Sequence, residues 1–302
     1  MPPLNELETT AYKRLLAREK AYERKTMKAL IDALTIMRGG MAKIYDKYAV
    51  DGVLTKAEMT RYNRYATMET QMIAALDPAL KANIKTIELL RPEQYEAAFF
   101  NYAWAMDNGA GVRVAWGTIN KAVVLENLAN PWLDIAKERY KLEGKLQVRA
   151  ALNNGLSLGK SYAAMSKDLK KAINRTAYET MRILRTEGQT AINAGQDDAY
   201  TKAQEKGIEG NVKWDATLDG KTRPDHGAMD GKNRQPDGLF NGPGRERAPY
   251  PTWVELKPEQ RINCRCRLSF EVEGYSPQLR RSRDEGIIPY QTYSEWEAKR
   301  KK

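Results

Sequence analysis

One histidine and two cysteines are the side chains of this 302-residue chain best suited to bind a soft metal or to act near neutral pH. All three fall between residues 214 and 267. His226 sits in WDATLDGKTRPDHGAMDG, and Cys264 and Cys266 in RINCRC, with a loop rich in Gly, Pro and Arg between them. If CRCRLSF is a strand, its period of two sends both sulfurs to one face and Arg265 and Arg267 to the other. A facing loop that carries His226 then completes three ligands. Asp219 or Asp225 supplies a fourth, so that Asp219, His226, Cys264 and Cys266 form a mixed set suited to structural zinc. The spacing is not that of a standard finger, because there is no C-x-x-C pair and only one histidine. Two other readings stay open: buried free cysteines beside a satisfied histidine, and a Cys–His nucleophilic or redox pair. A disulfide between residues two apart is strained and not expected in a cytosolic setting. A single histidine excludes an HNH-type nuclease and any three-histidine zinc enzyme.

The loop before His226 has its own physics. Asp219-Gly220 makes a turn that Thr222 and Asp225 can cap through side-chain hydrogen bonds to the backbone. Arg223 can form a bidentate pair with Asp219 or Glu187. A loop pinned in this way requires no catalysis to explain it.

These residues belong to a compact C-terminal module. From Gly207 onward Gly, Pro and Asp become frequent, and NVKWDAT and CRCRLSFEVE alternate as strands do. Before it, a helix is expected from Tyr178 to Lys206, ended by Gly207. Its stripe of Ala177, Met181, Leu184, Gly188, Ala191, Gly195, Ala199 and Ala203 is mostly small, which implies that another backbone packs very close. Arg185, Thr186 and Glu187 lie beside the stripe, either on a solvated face with a local ion pair or with Arg185 and Glu187 reaching into the module to hold its loops. The first half reads as helical. Met27, Leu30, Leu34, Met37, Met41, Ile44 and Tyr48 alternate three and four residues as a packing seam does, interrupted at Gly39-Gly40 by a kink or an end. Thr55 and Glu58 form a capping box after a turn at Asp51-Gly52. A calcium loop on that turn is rejected, because Lys47 and Ala49 would occupy its first and third ligand positions. Asp77-Pro78 and Arg91-Pro92 are expected to open further helices. Glycines at 109, 111 and 117 loosen a connection, and Asn130-Pro131 ends a helix over 118–129. GLSLGKS is a turn between helices and not a P-loop, which needs four residues between its first Gly and Gly-Lys-Ser/Thr. Trp104, Trp116 and Trp132 are expected as core or interface anchors. The tail from Tyr275 reads as an exposed basic arm.

Fifty Lys and Arg against thirty-nine acids give a net charge of +11, which favours a polyanionic partner. No stretch approaches the length of a membrane span, and no signal peptide is evident. A soluble protein of a reducing cytoplasm is expected.

The motifs carry a resemblance. NPW at 130–132, GLSLGKS at 155–161, RTEGQTAINAGQDDAY at 185–200, WDATLDGKTRPDHGAMDG at 214–231 and RINCRC at 261–266 follow the order found in the phage Mu protein F-like family of minor head, or head morphogenesis, proteins. The C-terminal pieces are the specific ones, and the similarity covers about residues 120–275. The carried-over positions are Arg185, Thr186, Glu187, Trp214, Asp219, Thr222, Arg223, His226, Gly231, Asn263, Cys264 and Cys266, with no catalytic role attached. RTEGQ departs from the pattern with a glycine where Thr or Ser is common, which fits tight helix packing. The resemblance implies an α+β protein: a helical region over 1–150 that docks on portal or capsid, a head morphogenesis domain over 151–275 and a basic tail over 276–302. It implies a structural, non-enzymatic virion component at the portal vertex inside the capsid. Portal protein, major capsid or scaffolding protein and double-stranded DNA are its partners, in assembly, packaging or ejection. A metal-dependent hydrolase acting on nucleic acid through Asp219, His226, Cys264 and Cys266 is the alternative. No toxin domain is expected after the module.

Overall fold

The computed structural model describes residues 3–110, 114–274 and 277–300. Helices come first: α1 (Leu4–Tyr48), α2 (Lys56–Thr60), α3 (Arg64–Gly109), α4 (Lys121–Asn127), α5 (Pro131–Ser157) and α6 (Tyr162–Glu205). Short elements follow: β1 (Gly210–Asp215), α7 (Pro224–Gly227), β2 (Phe240–Asn241), β3 (Arg247–Ala248), α8 (Pro258–Arg261), β4 (Arg267–Val272), β5 (Leu279–Ser282), β6 (Gly286–Pro289) and α9 (Tyr293–Arg300). The strands pair antiparallel, β1 with β4, β2 with β3 and β5 with β6. The class is α+β, with a long helical N-terminal region and a module of short strands.

The compact units are not consecutive in sequence. One gathers residues 1–20, 89–129 and 185–302, and the other 21–88 and 130–184. Boundaries at 150 and 275 follow the order of elements along the chain. Compaction groups residues differently, because α1, α3 and α6 each contribute to both units.

The second unit is helical. Its seam on α1 is buried at Leu30, Leu34, Met37 and Met41, while Met27 at its start is exposed. Gly39-Gly40 neither ends α1 nor breaks the seam; a β-carbon on Gly40 would lie 3.1 Å from Met72 Cε, so the small residue serves close packing. At Asp51-Gly52 both φ angles are positive, +50° and +76°, and Val50 and Val53 exchange backbone hydrogen bonds across the turn. Thr55 Oγ1 then accepts from Glu58 N at 3.1 Å, the expected cap of α2. Pro78 and Pro92 do not open helices. Both lie inside α3, where each removes one backbone donor at about 3 kcal/mol. Buried Leu76, Leu80, Leu90 and Tyr95 on either side of them keep the helix continuous. Asn130-Pro131 begins α5 as well as separating it from α4: Asn130 Oδ1 accepts from Trp132 N at 3.1 Å, and proline takes the first turn. GLSLGKS is the expected connection between helices, with α5 reaching Ser157 and α6 starting at Tyr162. The glycine expected to loosen the chain at 111 lies outside the described residues.

The first unit packs the ends of α1, α3 and α6 against the strand module. Leu7, Ala11 and Leu15 of α1, Tyr95, Phe99 and Tyr102 of α3 and Ala191, Ala199 and Tyr200 of α6 share one core with Val212, Trp214, Leu268 and Phe270. Trp104 and Trp116 are partly buried against it. The small stripe of α6 does what its composition implies: a β-carbon on Gly195 would lie 2.3 Å from the carbonyl oxygen of Tyr95. Gly207, at φ +86°, lets Ile208 N donate back to Ala203 O at 3.1 Å and closes the helix.

Glu8 enters this core. Its Oε1 accepts from Phe270 N at 3.0 Å and from the Tyr200 hydroxyl. Burial pushes its carboxyl up to about 7, against those hydrogen bonds. The unfolded chain ionises Glu8 near its ordinary value of 4.5. Between those values the folded state holds a proton that the unfolded state has lost, so stability falls as pH rises through the window. Glu8→Gln should remove this slope, amounting to on the order of 3 kcal/mol by pH 8. Chemical denaturation at pH 5 and pH 8 measures it, and an unchanged slope in the variant would contradict the assignment.

Candidate functional site

The site begins with the β1–β4 pair. Val212 and Trp214 face Phe270 and Leu268 in register, and all four are buried. Between Asp215 and Gly231 the chain makes a tight loop closed by Gly231 (φ +74°), whose N–H donates to Trp214 O at 2.8 Å. Lys221 N donates to Asp219 Oδ1 at 2.9 Å, and Thr222 Oγ1 donates to Thr217 O at 2.6 Å. Thr222 thus caps the loop as expected, and Asp225 Oδ1 accepts from the N–H of His226. Among the described residues no carboxylate pairs with Arg223. Its Nη2 donates to Ile262 O at 2.6 Å, tying the loop to the segment before Cys264. Asp219 is claimed by Arg283 at 3.0 Å and Arg265 at 3.3 Å. Despite burial, these pairs and the Lys221 N–H hold its carboxyl below the usual range.

The other strand of the site is held by α6. A row of buried polar residues on that helix bonds the backbone of residues 251–268. Thr186 Oγ1 accepts from Asn263 N at 3.1 Å. Thr190 Oγ1 donates to Thr252 O at 3.2 Å. Asn193 Nδ2 donates to Pro251 O at 2.6 Å and Cys266 O at 3.0 Å. Gln196 binds both groups of Leu268, donating to its carbonyl at 2.6 Å and accepting from its N–H at 3.2 Å. Its side-chain amide thereby satisfies the outer edge of β4 as a further strand would. Glu187 sits between Arg91 and Arg261, at 3.1 Å from each, all nearly excluded from solvent. Asn263 takes φ +56°, a conformation asparagine tolerates, and turns the chain from α8 toward Cys264.

Cys264 and Cys266 lie just ahead of β4 and not within it. Their sulfurs nevertheless converge as the alternation predicted, at 3.4 and 3.5 Å from His226 Nδ1. The three potential ligand atoms lie within 4.8 Å of one another. His226 is 1% exposed, Cys264 4% and Cys266 3%, which makes the group part of the core. On its other side His226 Nε2 meets Gln260 Oε1 at 2.9 Å, and the Trp214 ring packs edge-on at 6.0 Å. The Cys264 thiol is lowered by its hydrogen bond to Cys266, against burial, while that same bond and burial push Cys266 up. Neither Asp219 nor Asp225 joins the group, so the expected fourth carboxylate ligand is displaced by arginine pairing.

Of the positions singled out from sequence, Thr186, Glu187, Trp214, Asp219, Thr222, Arg223, His226, Gly231, Asn263, Cys264 and Cys266 all contribute to this assembly. Arg185 is exposed on α6. Sequence reasoning missed Gln189, Thr190, Asn193 and Gln196, although their three-and-four spacing beside Thr186 marked a polar helical face. It also missed the segment after 277. That segment is not an exposed arm: β5, β6 and α9 pack on the module, with Arg280, Ser282, Tyr293 and Trp296 buried. Arg280 is drawn in because Asp215 and Asp230 surround its guanidinium at 2.6 Å.

Residues 146–269 match the family described as Phage Mu protein F like protein. Over 287 residues, covering 92% of both chains, the sequence is 27% identical to Minor head protein GP7 of Bacillus phage SPP1. Over 222 residues, covering 72% of this chain and 45% of the relative, it is 29% identical to NAD(+)--arginine ADP-ribosyltransferase EFV of Enterococcus faecalis (strain ATCC 700802 / V583). No solved structure matches the chain.

Proposed function

We propose that this protein, whose residues 146–269 belong to the phage Mu protein F-like family, is a structural minor head protein of a tailed phage or prophage. It associates with the portal protein inside the capsid, meets capsid or scaffolding protein during assembly, and contacts double-stranded DNA in packaging or ejection. The observation that carries this reading is the similarity to a minor head protein along nearly the whole of both chains. The similarity to the ADP-ribosyltransferase spans less than half of that protein. The module's interior also favours a mechanical role. A hydrolytic zinc keeps an open coordination position, whereas His226, Cys264 and Cys266 are enclosed and Asp219 is engaged by two arginines. Contact with DNA rests on the net charge of +11.

A docking face is available on α5. Trp132, Ile135, Leu142 and Leu146 follow helical spacing and are 57%, 59%, 58% and 45% exposed. Trp132 is therefore not a core residue, and its expected role as an interface anchor suits this row. Large apolar side chains grouped on one exposed face favour a protein partner. Co-expression with the neighbouring portal protein, followed by pull-down, tests the reading. The wild-type chain should be retained, and Trp132→Ser with Leu142→Ser should weaken retention by about tenfold or more without lowering the melting temperature. No retention of the wild-type chain would contradict the reading. Truncation at Gly207 is a poor test, because it would strip Trp214, Leu268 and Phe270 from a core shared with α1, α3 and α6.

A further inference from the structure

We propose that His226, Cys264 and Cys266 form a zinc site, with His226 Nδ1 and the two sulfurs as its protein ligands and Gln260 as the residue that orients the imidazole. The spacing is that of a shared ion. Zinc bonds of about 2.0 Å to nitrogen and about 2.3 Å to sulfur, at tetrahedral angles, separate the two ligand atoms by roughly 3.6 Å. The observed separations are 3.4 and 3.5 Å.

The tautomer is also right. An amide oxygen only accepts, so Gln260 Oε1 at 2.9 Å requires the proton on Nε2. Nδ1 then presents its lone pair to both sulfurs. Metal-bound histidines commonly donate their other ring N–H to an oxygen acceptor in this way, which fixes the ring orientation. Without an ion, two thiols compete for one lone pair. With an ion, all three donors are used at once. Two thiolates and an imidazole suit a borderline-soft cation such as zinc and disfavour calcium or magnesium.

The ion would have a mechanical consequence. The ligands come from α7 and from the segment before β4, about forty residues apart in sequence. Those segments are already tied by Thr217 Oγ1 to Arg265 O at 2.8 Å and by Arg223 to Ile262 O. Zinc adds a third tie at the centre of the unit. Binding releases one proton from each thiol, and the two thiolates balance the charge of the ion, leaving a neutral zinc–dithiolate–imidazole group. Among the described residues no other His, Cys, Asp or Glu joins the cluster, so the protein supplies three donors to the ion.

The test uses the full chain, purified under reducing conditions without chelator. Metal analysis should find about one zinc per chain. After chelation, cobalt(II) should restore the intense visible and thiolate-to-metal absorption of a tetrahedral sulfur site, and zinc should slow alkylation of both cysteines by about tenfold or more. Cys264→Ser with Cys266→Ser should abolish the cobalt signal, and Asp219→Asn should retain it. If the double variant does not fold, the wild-type cobalt spectrum and alkylation protection decide alone. Less than about 0.2 zinc per chain together with no cobalt absorption would overturn the proposal, as would a disulfide detected by mass in the freshly purified chain.

Discussion

Replacing Arg280 with methionine should lower the stability of the strand-bearing unit by about 3–5 kcal/mol, more than any exposed ion pair in the chain contributes. Among the described residues the guanidinium donates five hydrogen bonds. Nη1 donates to Asp230 Oδ2 at 2.6 Å and Gln291 O at 2.9 Å, and Nη2 to Asp215 Oδ1, Asp230 Oδ1 and Ala216 O, each at 2.6 Å. Asp230 also accepts from Ala216 N and Tyr293 N, so it anchors the loop, the final hairpin and α9 together. Methionine fills a similar volume but leaves Asp230 without its cation and Asp215 with Arg267 alone. The large effect is the cost of uncompensated buried charge and not the worth of one bond. Arg300 makes an ion pair with Asp284 that is half exposed on both sides. Arg300→Met should therefore cost under about 1 kcal/mol. Urea denaturation of both variants separates these cases, and equal effects would contradict the account.

Glu187→Ala should have an effect of similar size, about 3–5 kcal/mol, for the opposite reason. It removes the carboxylate that Arg91 and Arg261 share in the interior. Burial already lowers the Arg261 guanidinium, and Arg91 adds to that. The sharper expectation is in the double variant. Glu187→Leu with Arg261→Leu removes one charge of each sign, and should be less destabilising than the two single changes summed by about 1–3 kcal/mol. Additive losses would mean that the residues do not act as a network.

How much of this was legible depends on the physics at each position. The seam on α1, the Thr55 cap, the small stripe of α6 and the end at Gly207 were readable because helix periodicity, capping and close packing are local rules. The convergence of Cys264 and Cys266 was readable from alternation even though both lie outside β4. The starts at Pro78 and Pro92 were not, since burial on either side overrides the loss of one donor. Asp219 looked like a metal ligand because it precedes His226, but Arg283 reaches it from a segment 64 positions away. The same long reach hid Arg280: a basic tail looks solvated until the carboxylates that receive it are known. The row Thr190, Asn193 and Gln196 was visible as a polar face. Its meaning was not, because its partners are backbone groups that any sequence could supply.

Helix side chains clamp the segment bearing the cysteines and make one mechanical body with it. Native-state hydrogen exchange of three amides tests it most directly: Asn263, bound to Thr186; Leu268, bound to Gln196; and Phe270, bound to Glu8. All three should exchange only through opening of the whole unit, with the same protection as the core of α6. Exchange at the rate of a surface loop, while α6 stays protected, would contradict the claim.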